Sequence, residues 1–217
     1  MNSWTYMSEG GGMGYQQYSV DPLLALNSET SERIAQLRVD LDLVRGCTVL
    51  DIGTYAGLAA MVCLEAGADS VCGADVDDSF FLPISNWSRE RDKPITLINV
   101  GFGELNSDHK ADVVLLLELY HWLSHQGLSA IEVANKLNIL ARSHIVIETP
   151  YDGTDPSVQR VETHAVERYQ PSELLDTLVR LGWKVEFRGL CSYFPKEYKR
   201  ARFICSRSSN MCNDQNN

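Results

Sequence analysis

Two glycines four residues apart close the stretch VLDIGTYAG, which runs from Val49 to Gly57. An apolar run and a single acid, Asp51, precede Gly53, so the stretch has the form of a strand followed by a tight turn. Glycine has no Cβ, and a turn built on it lets the main chain come close to a ligand. A turn needed only for packing is the alternative, because the stretch has one glycine fewer than the G-x-G-x-x-G pattern of dinucleotide-binding turns.

A second acid stands at the end of the next apolar run, VCGAD, where the last letter is Asp75. A carboxylate at the end of the second strand of an α/β sheet can accept hydrogen bonds from both hydroxyls of a ribose. Asp77 and Asp78 follow closely and are explained as acids in the first turn of a helix, where the helix dipole favours them. Together with the glycine turn, Asp75 favours an adenosine-type ligand.

Strands and helices must position these residues, and apolar runs alternate with amphipathic segments along most of the chain. The most continuously apolar run, Ala111 to Leu117, predicts a strand buried on both faces at the centre of a parallel sheet. The last two predicted strands have no room for a helix between them, so we expect them to pair antiparallel. The pattern predicts an α/β fold with three layers and a mostly parallel sheet. Strands are predicted at Thr48–Ile52, Ser70–Ala74, Ile95–Val100, Ala111–Leu117, His144–Glu148, Trp183–Arg188 and Arg202–Ser206, and helices at Gly57–Ala66, Ser79–Arg91, Leu128–Ala141 and Leu174–Leu181, after a first helix with Ile34, Leu37, Leu41 and Val44 at helical spacing.

The length of 217 residues favours one domain with a few appended pieces. Residues 1–28 are rich in Gly, Ser, Gln and Tyr without a sustained period, and we expect an arm or a lid there. The domain is predicted over 29–206, and a polar stretch with turn signals indicates an insertion at about 149–170. Residues 207–217 have the composition of a flexible tail.

The formal net charge is −10, with a sequence pI near 4.9. Binding to a phosphate backbone relies on clustered Lys and Arg, so the charge disfavours nucleic acid as a partner without excluding it. One local basic cluster, Lys196 to Arg202, could still steer an anion.

Six cysteines are scattered without a C-x-x-C pair, which is typical of reduced thiols. Apolar runs stay below the roughly 18 residues of a membrane-spanning helix, and the first residues lack the basic and apolar parts of a secretory signal. We therefore expect a cytoplasmic protein with no membrane partner.

Four motifs carry a resemblance to a known family: VLDIGTYAG, GADSVCGADVD, ADVVLLLELYHWL, and PSELLDTLVRLGWKVEF with a closing strand pair. In these the chain resembles the class I S-adenosylmethionine-dependent methyltransferases, from about residue 30 to 206. It looks most like the branch with D-x-G-T/C in the first turn and Tyr-His after the fourth strand. That branch includes sugar- and natural-product-associated methyltransferases and enzymes that modify the wobble uridine of tRNA. The resemblance implies a Rossmann-like methyltransferase fold with a seven-stranded sheet whose last strand is antiparallel, and S-adenosylmethionine as the cofactor.

The resemblance also implies roles for individual residues in cofactor binding. The first turn matches the motif that holds the methionine part of the cofactor, and Asp75 matches the acid that binds the ribose. Gly101 and Phe102 fall where the family contacts adenine, commonly with an Asp, and an aromatic ring here suggests stacking or edge contact instead. Glu118 either binds the cofactor's amino group or is a solvated acid at a strand end. The expected cofactor-binding residues are Asp51, Gly53, Thr54, Tyr55, Gly57, Asp75, Gly101, Phe102 and Glu118.

Methyl transfer from a sulfonium needs an aligned nucleophile, exclusion of water, and in some cases a base that deprotonates the acceptor. His121 is the expected base, because histidine changes protonation near neutral pH. Tyr120 is expected to orient it, or to present its ring to the methyl-sulfonium cation. Packing of His121 and Trp122 under the following loop is the alternative.

The acceptor side is predicted from the N-terminal arm, the insertion and the last loop. Tyr15, Tyr18, Tyr151, His164 and Tyr193 are the candidate substrate-binding residues. Metal-dependent members of the superfamily use a carboxylate-rich set that the sequence does not match, so no metal site is expected.

The sequence therefore predicts an enzyme that moves a methyl group from S-adenosylmethionine to a small-molecule acceptor by direct in-line displacement. Two alternatives stay open: a methyltransferase that modifies RNA or protein, and a subunit that binds the cofactor without catalysing transfer.

Overall fold

The computed structural model describes residues 34–39, 41–150, 169–193 and 198–207. By its internal contacts the chain divides into two compact units, one up to Gly103 together with Tyr193, and one from Glu104 onward. The predicted arm, nearly all of the predicted insertion and all but the first residue of the predicted tail lie outside the described residues, so the predicted division of the chain stays a prediction.

Helices and strands alternate along the described chain, as the sequence pattern predicts. The helices are α1 (34–39), α2 (Leu58–Glu65), α3 (Phe81–Arg91), α4 (Tyr120–His125), α5 (Ala130–Leu140) and α6 (Pro171–Arg180), and single 3-10 turns lie at Leu41–Val44, Asp78–Phe80, Phe102–Glu104 and Ser107–His109. The strands are β1 (Thr48–Ile52), β2 (Ser70–Asp75), β3 (Ile95–Asn99), β4 (Ala111–Leu117), β5 (Ala141–Pro150), β6 (Trp183–Tyr193) and β7 (Tyr198–Arg207).

Within the described residues, seven strands form one sheet in the order β3-β2-β1-β4-β5-β7-β6. The strand pairs β1–β2, β2–β3 and β4–β5 are parallel, whereas β7 runs antiparallel to β5. This confirms the predicted α/β class and the mostly parallel seven-stranded sheet with an antiparallel last strand.

The helical segments of the first unit bury most of their apolar residues. Ile34, Leu37, Leu41 and Val44 are all buried, as their helical spacing predicts. Helix α2 is buried on almost every side, which explains why its sequence is apolar throughout. Parallel pairing places the ends of β1, β2 and β3 at one edge, because parallel strands start and finish together.

The second unit is built on β4, whose boundaries match the prediction and whose central residues are inaccessible to solvent. Strand β5 is longer than the predicted His144–Glu148, because it pairs with β4 on one side and with β7 on the other over most of its length. Helix α5 begins at a capping box in which Ser129 and Glu132 bond each other's main-chain N–H groups.

Two local predictions about helices are wrong. Helix α4 follows β4 directly, where no helix is predicted, and its six residues are too few for a periodic apolar pattern. Ser79 is not the side-chain cap ahead of α3. It instead donates its main-chain N–H to Asp77 Oδ1 at 3.0 Å, so Asp77 caps the 3-10 turn that leads into the helix.

Over the described part of the chain, the helices are too short or too polar for any of them to traverse a lipid bilayer.

We predict that Gly57→Ala destabilises the protein more than Gly46→Ala does. Both glycines have positive φ, 79° and 69°, so alanine costs about 1 kcal/mol at each for the left-handed conformation. A Cβ on Gly57 would also lie 2.5 Å from Ile84 Cδ1, whereas nothing lies within 4 Å of one on Gly46. The overpacking should add about 1–3 kcal/mol to the loss in free energy of unfolding, measured by urea denaturation. Equal losses in the two variants would contradict the close packing at Gly57.

Candidate active site

The turn after β1 is fastened to the end of β2 by main-chain hydrogen bonds. Gly53 N–H and Thr54 N–H both donate to the carbonyl oxygen of Ala74, at 2.8 and 3.2 Å. The turn closes where Gly57 N–H donates to the Thr54 carbonyl oxygen at 2.8 Å. Gly53, Tyr55 and Gly57 all have positive φ, so the chain reverses sharply between strand and helix.

Asp51 and Thr54 form a buried polar pair inside this turn. Thr54 Oγ1 donates to Asp51 Oδ2 at 2.8 Å, so the buried carboxylate has a partner within its own turn. Gly73 lies opposite Asp51 in β2, and a Cβ there would come within 3.0 Å of Thr54 Oγ1 and Cγ2. Gly73 therefore makes room for Thr54, a role that requires the β1–β2 register and that the sequence alone does not reveal.

The charge of Asp51 also affects two nearby thiols. Burial, followed by the negative charge of Asp51, raises the pKa of the Cys63 and Cys72 thiols. Both cysteines are free in the structure and stay protonated at neutral pH, which is how packed, unreactive cysteines behave.

The Asp75 carboxylate connects the end of β2 to the β1 turn. Its Oδ2 accepts the main-chain N–H of Tyr55 at 2.8 Å, and its Oδ1 accepts that of Asp77 at 3.1 Å. Asn99 Nδ2, at the end of β3, donates to the Asp75 carbonyl oxygen at 3.1 Å. A carboxylate has about four lone-pair positions, so each oxygen keeps acceptor capacity after these bonds. The group is oriented by two N–H donors and suited to receive a pair of hydroxyls.

Tyr55 lies over this corner of the fold. Its ring centroid is 4.1 Å from that of Phe80, with 44° between the ring planes. Phe80 immediately precedes α3, so the aromatic contact links the β1 turn to the start of that helix. Phe80 is not among the site residues predicted from the sequence, because nothing in its local pattern distinguishes it from a core residue.

Gly101 and Phe102 follow β3, and Phe102 begins a 3-10 turn with its ring buried. Of the residues predicted to bind the cofactor, the first unit thus holds all but Glu118. It brings the β1 turn and Asp75 together through direct hydrogen bonds.

In the second unit, Glu118 stands at the end of β4 in an unusual conformation. It is one of three non-glycine residues with positive φ in the described chain, at 58°. Its N–H donates to the Glu148 carbonyl oxygen at 2.8 Å, and its carboxylate accepts a hydrogen bond from Arg200 Nε. The Arg200 side chain is only 3% exposed and that of Glu118 11%, so this is a largely buried ion pair.

A second ion pair lies beside it. Arg202 donates from Nε and Nη2 to Glu148 Oε2, at 3.0 and 2.9 Å, and Glu148 is fully buried. Arg202 and Glu148 are direct partners in the β5–β7 register. The sequence suggests that the basic cluster from Lys196 to Arg202 could steer an anion, but two of its arginines are buried and paired with carboxylates.

Helix α4 begins one residue beyond Glu118, after Leu119, and carries Tyr120 and His121 in its first turn. Tyr120 is buried and donates its hydroxyl to the Gln170 carbonyl oxygen at 3.1 Å, and burial raises the pKa of that hydroxyl. His121 is also buried, with its ring centroid 5.4 Å from Trp122 and 6.1 Å from His125. The Trp122 ring, by contrast, is 51% exposed.

Tyr169 joins the end of β5 to this group. Its hydroxyl donates to the Pro150 carbonyl oxygen at 2.6 Å and lies 2.7 Å from Thr149 Oγ1. Its ring centroid is 5.3 Å from that of Tyr120. Burial raises the pKa of the Tyr169 hydroxyl far above its ordinary value; the charge of Glu118 acts in the same direction and that of Arg200 opposes it.

Four of the five predicted substrate-binding residues lie outside the part of the chain that the structure describes. Tyr15, Tyr18, Tyr151 and His164 lie outside the described residues, and Tyr193 is the last residue of β6. In the described ranges there is no group of three or more His, Cys, Asp or Glu side chains placed to hold a metal ion.

Comparisons with known proteins identify the fold. No family model matches the sequence, and no curated protein matches it. Among solved structures, the magnesium protoporphyrin IX methyltransferase ChlM from Synechocystis PCC 6803 with bound SAM is 17% identical, with a TM-score of 0.62 over 82% of this chain and 81% of that one. The N-methyltransferase NodS from Bradyrhizobium japonicum WM9 is 16% identical, with a TM-score of 0.63 over 84% and 99%. The 16S rRNA methylase RmtB is 18% identical, with a TM-score of 0.58 over 87% and 69%.

These likenesses show that the chain has the fold of the S-adenosylmethionine-dependent methyltransferases, which confirms the fold predicted from the resemblance.

We predict that Tyr169→Phe lowers the free energy of unfolding by about 1–3 kcal/mol, because Thr149 and Pro150 lose a buried partner. The raised pKa keeps the native hydroxyl protonated, while the unfolded chain ionises it above its ordinary pKa of 10.0. The stabilisation is therefore fully present below pH 10 and is lost as the pH rises toward the folded pKa. Urea denaturation at pH 8 and at pH 10.5 should show the gap between wild type and variant shrinking. A gap that widens at the higher pH would contradict the assignment.

Proposed function

We propose that the protein is an S-adenosylmethionine-dependent methyltransferase that acts on a small-molecule acceptor. The observation that carries the proposal is the Asp75 carboxylate, which the N–H groups of Tyr55 and Asp77 hold beside the glycine turn after β1. The fold that this chain shares with SAM-bound ChlM supports it. The residues present fit the cofactor, since Asp75 retains acceptor capacity for two ribose hydroxyls and Gly53 places no Cβ in the turn beside it, whereas the missing Cβ at Gly57 makes room for Ile84.

Three further predicted cofactor residues have supporting roles in this proposal. Asp51 and Thr54 hold the turn in shape from within, and Tyr55 covers it with a ring that Phe80 supports. When bound, S-adenosylmethionine would supply a methyl group attached to a good leaving group, and the acceptor would take that methyl group by in-line displacement. The protein then has to bind the cofactor and the acceptor, orient them and exclude water. It does not have to form a covalent intermediate.

His121 is proposed to take the acceptor's proton, and Tyr120 to position α4 for that task. Tyr120 is a suitable positioning residue because its buried hydroxyl stays neutral and is bonded to Gln170. Burial of His121 beside Trp122 and His125 limits its access to bulk water, as a base in a dry site requires.

Charge favours a small acceptor over RNA. The fold serves both classes, since ChlM acts on magnesium protoporphyrin IX and RmtB on 16S rRNA. A protein with a formal charge of −10 is repelled by a polyanion unless cations are clustered on its surface. Arg200 and Arg202, in the local basic cluster, are both neutralised by buried glutamates.

Calorimetry with S-adenosylmethionine tests the cofactor directly. Wild type should bind, and Asp75→Asn should weaken binding about tenfold or more, because one charged acceptor becomes a donor. Asp77→Asn is the matched control. The Asp77 carboxylate is exposed, accepts a hydrogen bond from Ser79 N–H and lies two residues from Asp75. The affinity of Asp77→Asn for S-adenosylmethionine should therefore stay within about twofold of wild type.

Absence of binding by wild type at about 1 mM cofactor would rule out the proposal. Equal weakening by both variants would mean that Asp75 acts through general charge and not as a ribose ligand.

Transfer of labelled methyl groups tests the acceptor class and the base together. Cell extracts separated into small molecules, RNA and protein are incubated with methyl-labelled cofactor and enzyme, and we expect label in the small-molecule fraction. His121→Gln should reduce that labelling about 100-fold or more and leave cofactor affinity unchanged, because only proton removal is lost.

Label in RNA or protein would replace the proposed acceptor class, and label in no fraction would favour a cofactor-binding subunit. Unchanged labelling by His121→Gln would exclude His121 as the base.

A further inference from the structure

The start of α4 depends on a residue in a conformation that it does not prefer. Glu118 has φ of 58°, in the left-handed region, where a side chain crowds its own carbonyl group. The chain passes through this residue from β4 into α4, where Tyr120 and His121 lie. Strained main-chain conformations persist only where surrounding contacts hold them, and they occur often at functional sites.

Contacts of both its main chain and its side chain hold Glu118 in place. Its main-chain N–H donates to the Glu148 carbonyl oxygen, which extends the β4–β5 hydrogen bonding by one residue past the strand. Its carboxylate pairs with Arg200, which lies opposite Pro150 in the β5–β7 register. The main chain and the side chain of Glu118 are thus anchored to different strands.

Local capping does not explain how α4 begins. The residue before it, Leu119, makes no side-chain cap hydrogen bond, and a helix of six residues has little stability of its own. The turn at Glu118 and the contacts of Tyr120 with Tyr169 and Gln170 therefore act, together with the burial of Leu123 and Ser124, to set the direction of α4.

We propose that Arg200 is a positioning residue: by pairing with Glu118 it holds the left-handed turn after β4 and thereby fixes Tyr120 and His121 at the start of α4. For the methyl-transfer step this rests on the proposed function. The geometric part, that the ion pair orients α4, holds or fails without any cofactor. Glu118 then serves the site through Arg200 and the turn, rather than as a ligand of the cofactor's amino group.

Arg202 provides a matched comparison. It lies two residues from Arg200 on β7 and therefore faces the same side of the sheet. It also forms a buried ion pair, but its partner Glu148 has an ordinary extended conformation inside β5. Loss of either pair should destabilise the protein, whereas only loss of the Arg200 pair should move α4.

The exposed ring of Trp122 reports on α4. We would incorporate 5-fluorotryptophan, assign the Trp122 fluorine resonance with Trp122→Phe, and use Trp87 and Trp183 as internal references outside α4. Arg200→Lys and Glu118→Gln should each shift or broaden the Trp122 resonance. Arg202→Lys should lower the unfolding midpoint and leave that resonance where it is in wild type.

The backbone part of the proposal has its own pair of variants. Glu118→Ala loses the ion pair and still bears the left-handed cost, whereas Glu118→Gly loses the pair and adopts that conformation freely. The Trp122 resonance should therefore move further in Glu118→Ala than in Glu118→Gly. A Trp122 resonance that is unmoved by Arg200→Lys and Glu118→Gln, or moved as much by Arg202→Lys, would overturn the proposal.

Cofactor binding and turnover separate this inference from the proposed function. In Arg200→Lys and Glu118→Gln the affinity for S-adenosylmethionine should stay within about twofold of wild type, while kcat of methyl transfer falls about tenfold. Weaker cofactor binding in Glu118→Gln alone would make Glu118 a cofactor ligand and contradict a purely positioning role. Absence of cofactor binding by wild type would reject the proposed function, while the Trp122 resonances would still test the ion pair.

Discussion

The hydrogen bond from Tyr55 N–H to the Asp75 carboxylate is the interaction on which the candidate cofactor site depends. It joins the last residue of β2, through its side chain, to the main chain of the turn that follows the parallel strand β1. The β1 turn gains a fixed position, and the carboxylate gains a fixed orientation. Either half alone would be a common feature of α/β proteins. Their combination gives a carboxylate oriented by two N–H groups beside a glycine-containing turn, the arrangement that we propose receives a ribose.

Buried charge in the second unit follows a different physical rule. Removing a glutamate and an arginine from water costs free energy that their attraction offsets only when the geometry is good. Two such pairs, Glu118–Arg200 and Glu148–Arg202, are therefore weak evidence for stability as such. They are better evidence for specificity of structure, because neither carboxylate can move without breaking a buried ion pair. Carboxylates fixed in this way give the short helix α4 a defined starting direction at this edge of the sheet.

The sequence predicts the fold well because burial leaves a direct record in it. Strand β4 is continuously apolar from Val113 to Leu117 because its residues on both faces are buried, and its ends are found to the residue. Helix α4 leaves no such record, since six residues give less than two turns and Leu119 supplies no cap. The long ends of β5 and β7 are hidden as well: each is ordered by its neighbour, and pairing between distant segments is not written in local composition.

Some residues of the candidate site can likewise be predicted from the sequence, and others cannot. Gly53, Gly57 and Asp75 can be found from the sequence because a motif of fixed spacing places them in one turn and at the end of the next strand. Gly73, Phe80 and Arg200 cannot, because each acts on a residue that only the strand register or a helix start brings near. A basic run such as Lys196 to Arg202 predicts an exposed, positively charged surface. Only the β5–β7 register shows that carboxylates lie close to its arginines.

The antiparallel direction of β7 explains why the arginines reach this edge. In a parallel strand the residues at its C-terminal end lie where the other strands end. Strand β7 runs the other way, so its first residues lie beside the last residues of β5, with Arg200 opposite Pro150 and Arg202 opposite Glu148. The chain thus brings two cations to the edge of the sheet at which β4 and β5 end in glutamate-bearing segments. A parallel seventh strand would place its own last residues there instead, and these two ion pairs would not form. The reversed strand therefore does more than close the sheet, because it delivers the partner that the turn after β4 requires.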